Sequence, residues 1–232
     1  FQQVGISDTQ LDHAAKHLNE WLANNFHGDM HYMHKHGEKR YTPEKLVPNT
    51  ISIISVRMDY MSHSQTTLAQ LQNKSKGYIA RYALGRDYHK VIKKRLVDFS
   101  KAIEQLIGPM GYRVFVDSAP VMERAIAEKA GLGWIGKNTC VINKKAGSWF
   151  FLGEIYTDLP LVSDQTEKNH CGKCQLCIDI CPTKAIVAPF RLDSRKCLSY
   201  LTIENKGPIP IEYRKALGNR IYGCDDCQLC CP

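Results

Sequence analysis

HCGKCQLCIDICP, residues 170–182, sets Cys171, Cys174, Cys177 and Cys181 in the pattern C-x2-C-x2-C-x3-C and follows the last with Pro182. That spacing is the half-motif of a bacterial-type ferredoxin. Structural zinc takes paired C-x2-C units, so three cysteines within seven residues suit an iron-sulfur cube better than one tetrahedral ion. A module that only carries electrons needs about 60 residues. Here about 170 residues precede the motif, so the chain holds a front part with work of its own.

Downstream lie Cys197, Cys224, Cys227, Cys230 and Cys231, the last followed by Pro232. In two-cluster ferredoxins the cysteine before the proline ligates the other cluster. Crossing Cys181 and Cys231 in this way gives one [4Fe-4S] cluster on Cys171, Cys174, Cys177 and Cys231. The second falls on Cys181, Cys197, Cys224 and Cys227, and Cys230 is left as a packing residue. The alternative takes Cys230 as the third ligand of a C-x2-C-x2-C run, and it strands either Cys231 or Cys197.

Nine of the ten cysteines lie after residue 170, in a pattern that suits thiolate ligands in a reducing compartment rather than disulfides. No apolar run approaches the length of a membrane span and no signal peptide is recognisable, so the expectation is a cytoplasmic protein with no membrane partner. Both ends look cut. The net charge of +8 points to a polyanionic partner, as does RYALGRDYHKVIKKRLVDFSK at 81–101, with seven Lys or Arg against two Asp.

In the front part, Ser7 and Gln10 form an S-x-x-Q capping box ahead of an apolar stripe through Leu11, Leu18 and Leu22, which predicts a helix over about 8–24. ISIISV at 51–56 reads as a buried strand. Val91, Ile92, Leu96, Phe99, Ile103 and Leu106 predict a helix from Asp87 to Ile107. YRVFVD at 112–117 reads as a strand, and Pro120 as the first turn of a helix running to Gly131. TCVIN and SWFFLGEIY, joined by KKAG, read as a hairpin. Residues 160–170 are a polar linker. The class is α+β, with a front domain over 1–165 and a ferredoxin-like domain over 166–232.

The front part carries no G-x-G-x-x-G fingerprint and no phosphate-binding G-x-x-x-x-G-K-[ST] loop. His27, His31, His34 and His36 are crowded, but no acidic or cysteine partner joins them, and they read as a solvated helix end rather than a metal site.

VDSAPVMERAIAEKAGLGWIGKN at 116–138 resembles the signature of the epoxyqueuosine reductases. MHYMHKHGEKRYTPEKLVP at 30–48, ISVRMDY at 54–60, YIARYALGRDYHK at 78–90, KCLSYLTIE at 196–204 and YGCDDCQLCCP at 222–232 resemble the same family. The resemblance implies a nitroreductase-like, cobalamin-binding front domain beside the two-cluster domain. It implies reduction of epoxyqueuosine to queuosine in a tRNA anticodon, the last step in making that base, by cob(I)alamin fed from the clusters. It also implies a low-potential electron donor and a monomer. Many members also carry a helical repeat after the clusters, which the 232 residues do not include.

Read from the residues alone, Asp117 is a cap for the helix at Pro120, a role open also to Ser118. The resemblance makes it the proton donor to the opening epoxide. It also puts Arg40, the Ala80 backbone, Lys137, Cys140 and Ser199 around the cobalamin. Two rival readings use the same cysteines: a corrinoid-dependent reductive dehalogenase, and a plain two-cluster electron carrier.

Overall fold

A computed structural model describes residues 1–60 and 65–232, with residues 65 and 66 described by their backbone alone. One antiparallel sheet of four strands organises the front part, in the spatial order Gln3–Ser7, Ser52–Asp59, Phe150–Thr157, Tyr112–Phe115. The two central strands pair along their whole length, with Ile53 opposite Tyr156 and Ile54 opposite Ile155.

Alternation along the strands sends successive side chains to opposite faces. Ile53, Phe115 and Tyr156 meet Leu11 and Ile126, the latter from the helix Glu123–Lys129. Ile54, Val56 and Ile155 meet Ile92 and Leu96 of the helix Tyr88–Ile107. The sheet is thus covered on both sides, which is why its central strands read as nearly unbroken apolar runs. A Cβ on Gly153 would lie 2.9 Å from Ile92 Cγ2 and 3.0 Å from Leu96 Cδ1. Glycine therefore lets the long helix lie hard against the sheet.

Three expectations are corrected. Ser7 is the last residue of an edge strand, fully buried and paired with Ile53, so the Ser7–Gln10 capping box does not form. Pairing of QVGIS with ISIISV outweighs the local capping preference, and the helix runs only over Asp12–Ala23. Pro120 does not open a helix. Asp117 sits at φ 52° and tight turns follow, with Ser118 N bonded to Val116 O and Val121 N to Ala119 O, so the helix starts at Glu123. The hairpin between TCVIN and SWFFLGEIY reduces to one bridge, Asn143 to Gly147. Val141–Ile142 pairs instead with Trp134–Ile135, because strand 150–157 already has neighbours on both edges.

The cysteine-rich part is a set of short helices, Leu176–Ile180, Leu198–Ile203, Ile211–Leu217 and Asp226–Leu229, around a small core of Leu198, Tyr200 and Leu201. It is bound tightly to the front part. Tyr78–Ile79 pairs in parallel with Arg220–Tyr222. Trp21 Nε1 donates to Leu192 O at 2.7 Å, and Gln228 Nε2 donates to Ser148 O at 2.8 Å. Among the described residues no helix is long and apolar enough to cross a membrane.

Candidate functional site

The cysteines gather in two places. Burial raises the Cys231 thiol, and the neighbouring Cys171, Cys177 and Cys174 raise it further. Burial likewise raises Cys177, with Cys171 and Cys174 adding to it. In the second place, burial raises Cys197, with Cys181 among the groups adding to it. The hydrogen bond to Cys140 raises Cys227 well above its ordinary value, together with burial and the nearby Cys197 and Cys224. Cys224 Sγ donates to Asp226 Oδ2 at 2.7 Å, an acid held by Arg220. Cys230 lies near Cys177 and Cys231, but its Sγ turns back toward Cys227 O at 3.6 Å.

Beside the second group opens a cleft of about 270 Å³. Tyr60, Tyr82, Tyr88, Phe150 and Phe151 give it aromatic walls, and Asp117 and Cys140 line it. Cys140 is the hydrogen-bond partner of Cys227, so the cleft reaches the second group of cysteines.

Asp117 is held from three sides. Tyr88 Oη donates to Asp117 Oδ2, and His89 Nε2 lies 3.2 Å from the same oxygen. Both come from the first turn of the long helix, which Asp87 caps by accepting from His89 N at 3.0 Å. Tyr88 is in turn stacked on Phe151, with ring centroids 4.3 Å apart. Asp117 N donates to Glu123 Oε1. The carboxyl itself is 55% exposed, so it faces the open cleft and is not buried in advance of a ligand. A non-glycine residue at positive φ is uncommon, and Asn and Asp tolerate it best.

Behind Asp117 lies a second acid. Glu154 is fully buried in the middle of strand 150–157, opposite Ser55 and Phe115, and it touches Glu123. Burial pushes Glu154 well above the ordinary carboxylate range, and the charge of Glu123 adds to this. Burial and the charge of Asp117 push Glu123 up to about 7. Two carboxyls in contact without a cation between them hold a proton at neutral pH, because both cannot ionise there.

The remaining predicted residues are scattered around this centre. Arg40 is buried, donates through Nη2 to Tyr32 O at 2.9 Å, and leaves Nε without a partner. Ala80 is buried, with its N bonded to Tyr222 O at 2.8 Å. Lys137 Nζ donates to Gly172 O and Cys174 O, both at 2.8 Å, and so grips the first cysteine loop. Ser199 lies in the first turn of the helix 198–203, two residues after Cys197. Of the predicted contacts only Asp117 and Cys140 line the cleft. Tyr88, His89, Glu123 and Glu154 were not singled out from sequence. An acid inside the apolar run SWFFLGEIY was the one available signal.

Residues 40–118 match the family model described as Epoxyqueuosine reductase QueG, DUF1730, and residues 170–232 match a 4Fe-4S double cluster binding domain. Over its whole length the chain is 58% identical to the epoxyqueuosine reductase of Pseudomonas aeruginosa, and it spans 64% of that relative. Among solved structures it is similar to an epoxyqueuosine reductase from Bacillus subtilis whose aspartate catalytic loop is swung out of the active site. The TM-score there is 0.90 and the identity 30%, covering all of this chain and 61% of that one. It is equally similar to an epoxyqueuosine reductase with an epoxyqueuosine-modified tRNA-Tyr stem loop, at TM-score 0.89 and 31% identity over the same shares.

Proposed function

Because this chain belongs to the epoxyqueuosine reductase family, we propose that it reduces epoxyqueuosine to queuosine in a tRNA anticodon, the last step of queuosine synthesis. The observation that carries this reading is the aromatic cleft that holds Asp117 on one wall and Cys140, bonded to Cys227, on another. Residues 1–165 form a cobalamin-binding catalytic domain of nitroreductase-like architecture, and residues 166–232 a ferredoxin-like domain. The protein works as a cytoplasmic monomer supplied by a low-potential donor.

The donor sets fit the cofactors. Four of the five thiols in each place suit one [4Fe-4S] cluster each: Cys171, Cys174, Cys177 and Cys231, then Cys181, Cys197, Cys224 and Cys227, with Cys230 left over in the first place and Cys140 in the second. Cys230, turned toward its own helix backbone, stays outside both sets. Aromatic walls suit one edge of a corrin ring, and a cleft of about 270 Å³ takes only that part of cobalamin, the rest standing outside it. Asp117 and Cys140 line the cleft and would hold it there; Arg40, the Ala80 backbone, Lys137 and Ser199 lie outside that lining and are assigned to it by the family resemblance alone. Lys137 keeps one N–H free beyond its two carbonyl bonds. When bound, cobalamin supplies a reduced nucleophilic centre, and the clusters supply single electrons to it.

The chain's own residues manage the protons. Turning an epoxide into an alkene removes one oxygen as water and consumes two electrons and two protons. Asp117 donates to the opening oxygen, which would otherwise leave as an alkoxide. Tyr88 and His89 fix the orientation of its carboxyl, and Glu123 fixes its backbone. The Glu123–Glu154 pair holds a further proton one contact away. Arg86, Lys90, Lys94 and Arg95, against Asp87 and Asp98, line a groove at the start of the long helix whose excess of positive charge suits the phosphates of the anticodon stem.

The test is turnover of an epoxyqueuosine-bearing anticodon stem-loop by the reconstituted protein, with and without cobalamin. Asp117→Asn keeps size and turn preference but removes the transferable proton. The variant holds both clusters and loses roughly 100-fold or more in rate. Full activity in Asp117→Asn would remove the residue from the chemistry.

A further inference from the structure

The segment HGDMHYMH, residues 27–34, is fixed from two sides. Ser194 N donates to Phe26 O at 2.9 Å, Asp29 N donates to Tyr200 Oη at 2.7 Å, and Met30 packs on the Leu198–Tyr200–Leu201 core. Gly28 lies at φ +56°, and a Cβ there would meet the Tyr200 hydroxyl at 2.4 Å. The chain therefore folds back on itself before the short helix Tyr32–Lys35. This fold-back brings three imidazoles together that spacing on one helix would not.

Ring centroids lie 6.1 Å apart for His27 and His31, 5.8 Å for His27 and His34, and 5.9 Å for His31 and His34. One ring nitrogen from each lies within 4.8 Å of the others. His27 is only 9% exposed, and its Nδ1 is buried without a hydrogen-bond partner, whereas His31 and His34 are open to solvent. A buried ring nitrogen without a partner is unusual in a folded protein and calls for a ligand.

The geometry points to a divalent metal site on His27, His31 and His34, of the zinc class, with a fourth position open to water. Three neutral imidazoles with one open position are a donor set that Zn²⁺ accepts, and carboxylate-preferring ions such as Mg²⁺ and Ca²⁺ do not. The ion would fasten a segment that leads directly into Tyr32, whose carbonyl takes the Arg40 guanidinium. It would act as a staple at the seam between the front part and the cluster part. From spacing alone the cluster reads as a solvated helix end, and the fold-back at Gly28 is what changes that reading.

The molecule contains its own control. His13 and His17 on the helix 12–23 lie with Nε2 atoms 3.3 Å apart, exposed, and offer only two ligands at i, i+4. The experiment uses untagged, cluster-loaded protein. It is equilibrated with Zn²⁺ and dialysed, and zinc and iron are counted per chain by mass spectrometry. Calorimetric titration gives the affinity. One zinc is expected above full iron loading in the wild type and in His13→Ala/His17→Ala. His31→Ala/His34→Ala should lose it, with affinity falling at least about 100-fold, since loss of a second-shell partner alone costs 10- to 100-fold. X-ray absorption should find nitrogen at about 2.0 Å and no sulfur. Zinc retained in His31→Ala/His34→Ala, zinc lost instead with His13 and His17, or zinc gained only as iron is lost would each overturn the site.

Discussion

The two parts of the chain are held together by different physics. Three clusters of buried side chains pack the four-stranded sheet of the front part between helices. Beyond residue 170 the described core is Leu198, Tyr200 and Leu201 with Ala185 and Ile186, while Leu176, Ile180, Val187, Phe190, Ile211 and Ile221 are exposed. A segment of about 60 residues is marginal on its own core. Ligation of metal must supply what burial does not. The front part is therefore a scaffold that exists before its cofactor, and the cluster part is a scaffold completed by its cofactors.

The sharpest way to break this contrast is to remove the iron. Ligation of a structural metal contributes on the order of 10 kcal/mol to a small domain. Chelation under reducing conditions should abolish amide protection over 170–232 and leave it over strands 52–59 and 150–157, read by hydrogen exchange. Melting of both parts together would merge them into one cooperative unit. Cys231→Ala should lose the first cluster, whereas Cys230→Ala should keep close to the eight irons of two clusters. Equal loss would undo the assignment of Cys231.

Next in size is a cavity in the front core. Leu96 is fully buried between helix and sheet. Leu96→Ala should cost about 2–5 kcal/mol by denaturant titration of the sheet, with iron content unchanged. An iron loss in parallel would mean that the clusters depend on the front core.

The smallest effect concerns the acid pair of half-buried Glu123 and buried Glu154. Folded Glu123 titrates near 7, above its ordinary 4.5, and Glu154 is also raised. Between those limits the folded state binds more protons than the unfolded state. The pair's contribution is thus fully present below about 4.5 and is lost as pH rises through about 7. Denaturation of the wild type at pH 5 and pH 8 should show that fall, and Glu154→Gln, neutral at both, should flatten it. Identical slopes in the two proteins would mean that no proton is shared there.

The same contrast governs what the sequence makes legible. The cluster domain is written locally: Cys171, Cys174, Cys177 and Cys181 before Pro182 mark it without a fold, whereas the place of Cys197 in a ligand set has no local signal. The 88–107 helix was legible because its apolar stripe repeats every turn. Ser7 and the 139–156 hairpin were misread because their partners lie far along the chain. Ser7 joins Ile53, and strand 150–157 is occupied on both edges by 52–59 and 112–115. The acids were harder still. Glu154 looks like a surface residue until the sheet is known to be covered on both faces. Tyr88 and His89 reach Asp117 only because Gly153 lets the long helix approach the sheet.

The parallel pairing of Tyr78–Ile79 with Arg220–Tyr222 bears on the order in which the protein is made. Tyr78 Oη and Arg81 N both bond to Asp225 Oδ2, at 2.5 and 2.8 Å. On the ribosome, a nascent chain that has emerged to residue 160 already holds every strand of the large sheet. It still leaves the 78–81 segment without its partners. That segment, on the way into the helix that carries Tyr88 and His89, settles only when residue 225 has emerged, so the wall of the cleft is finished at about the moment the last cysteines become available.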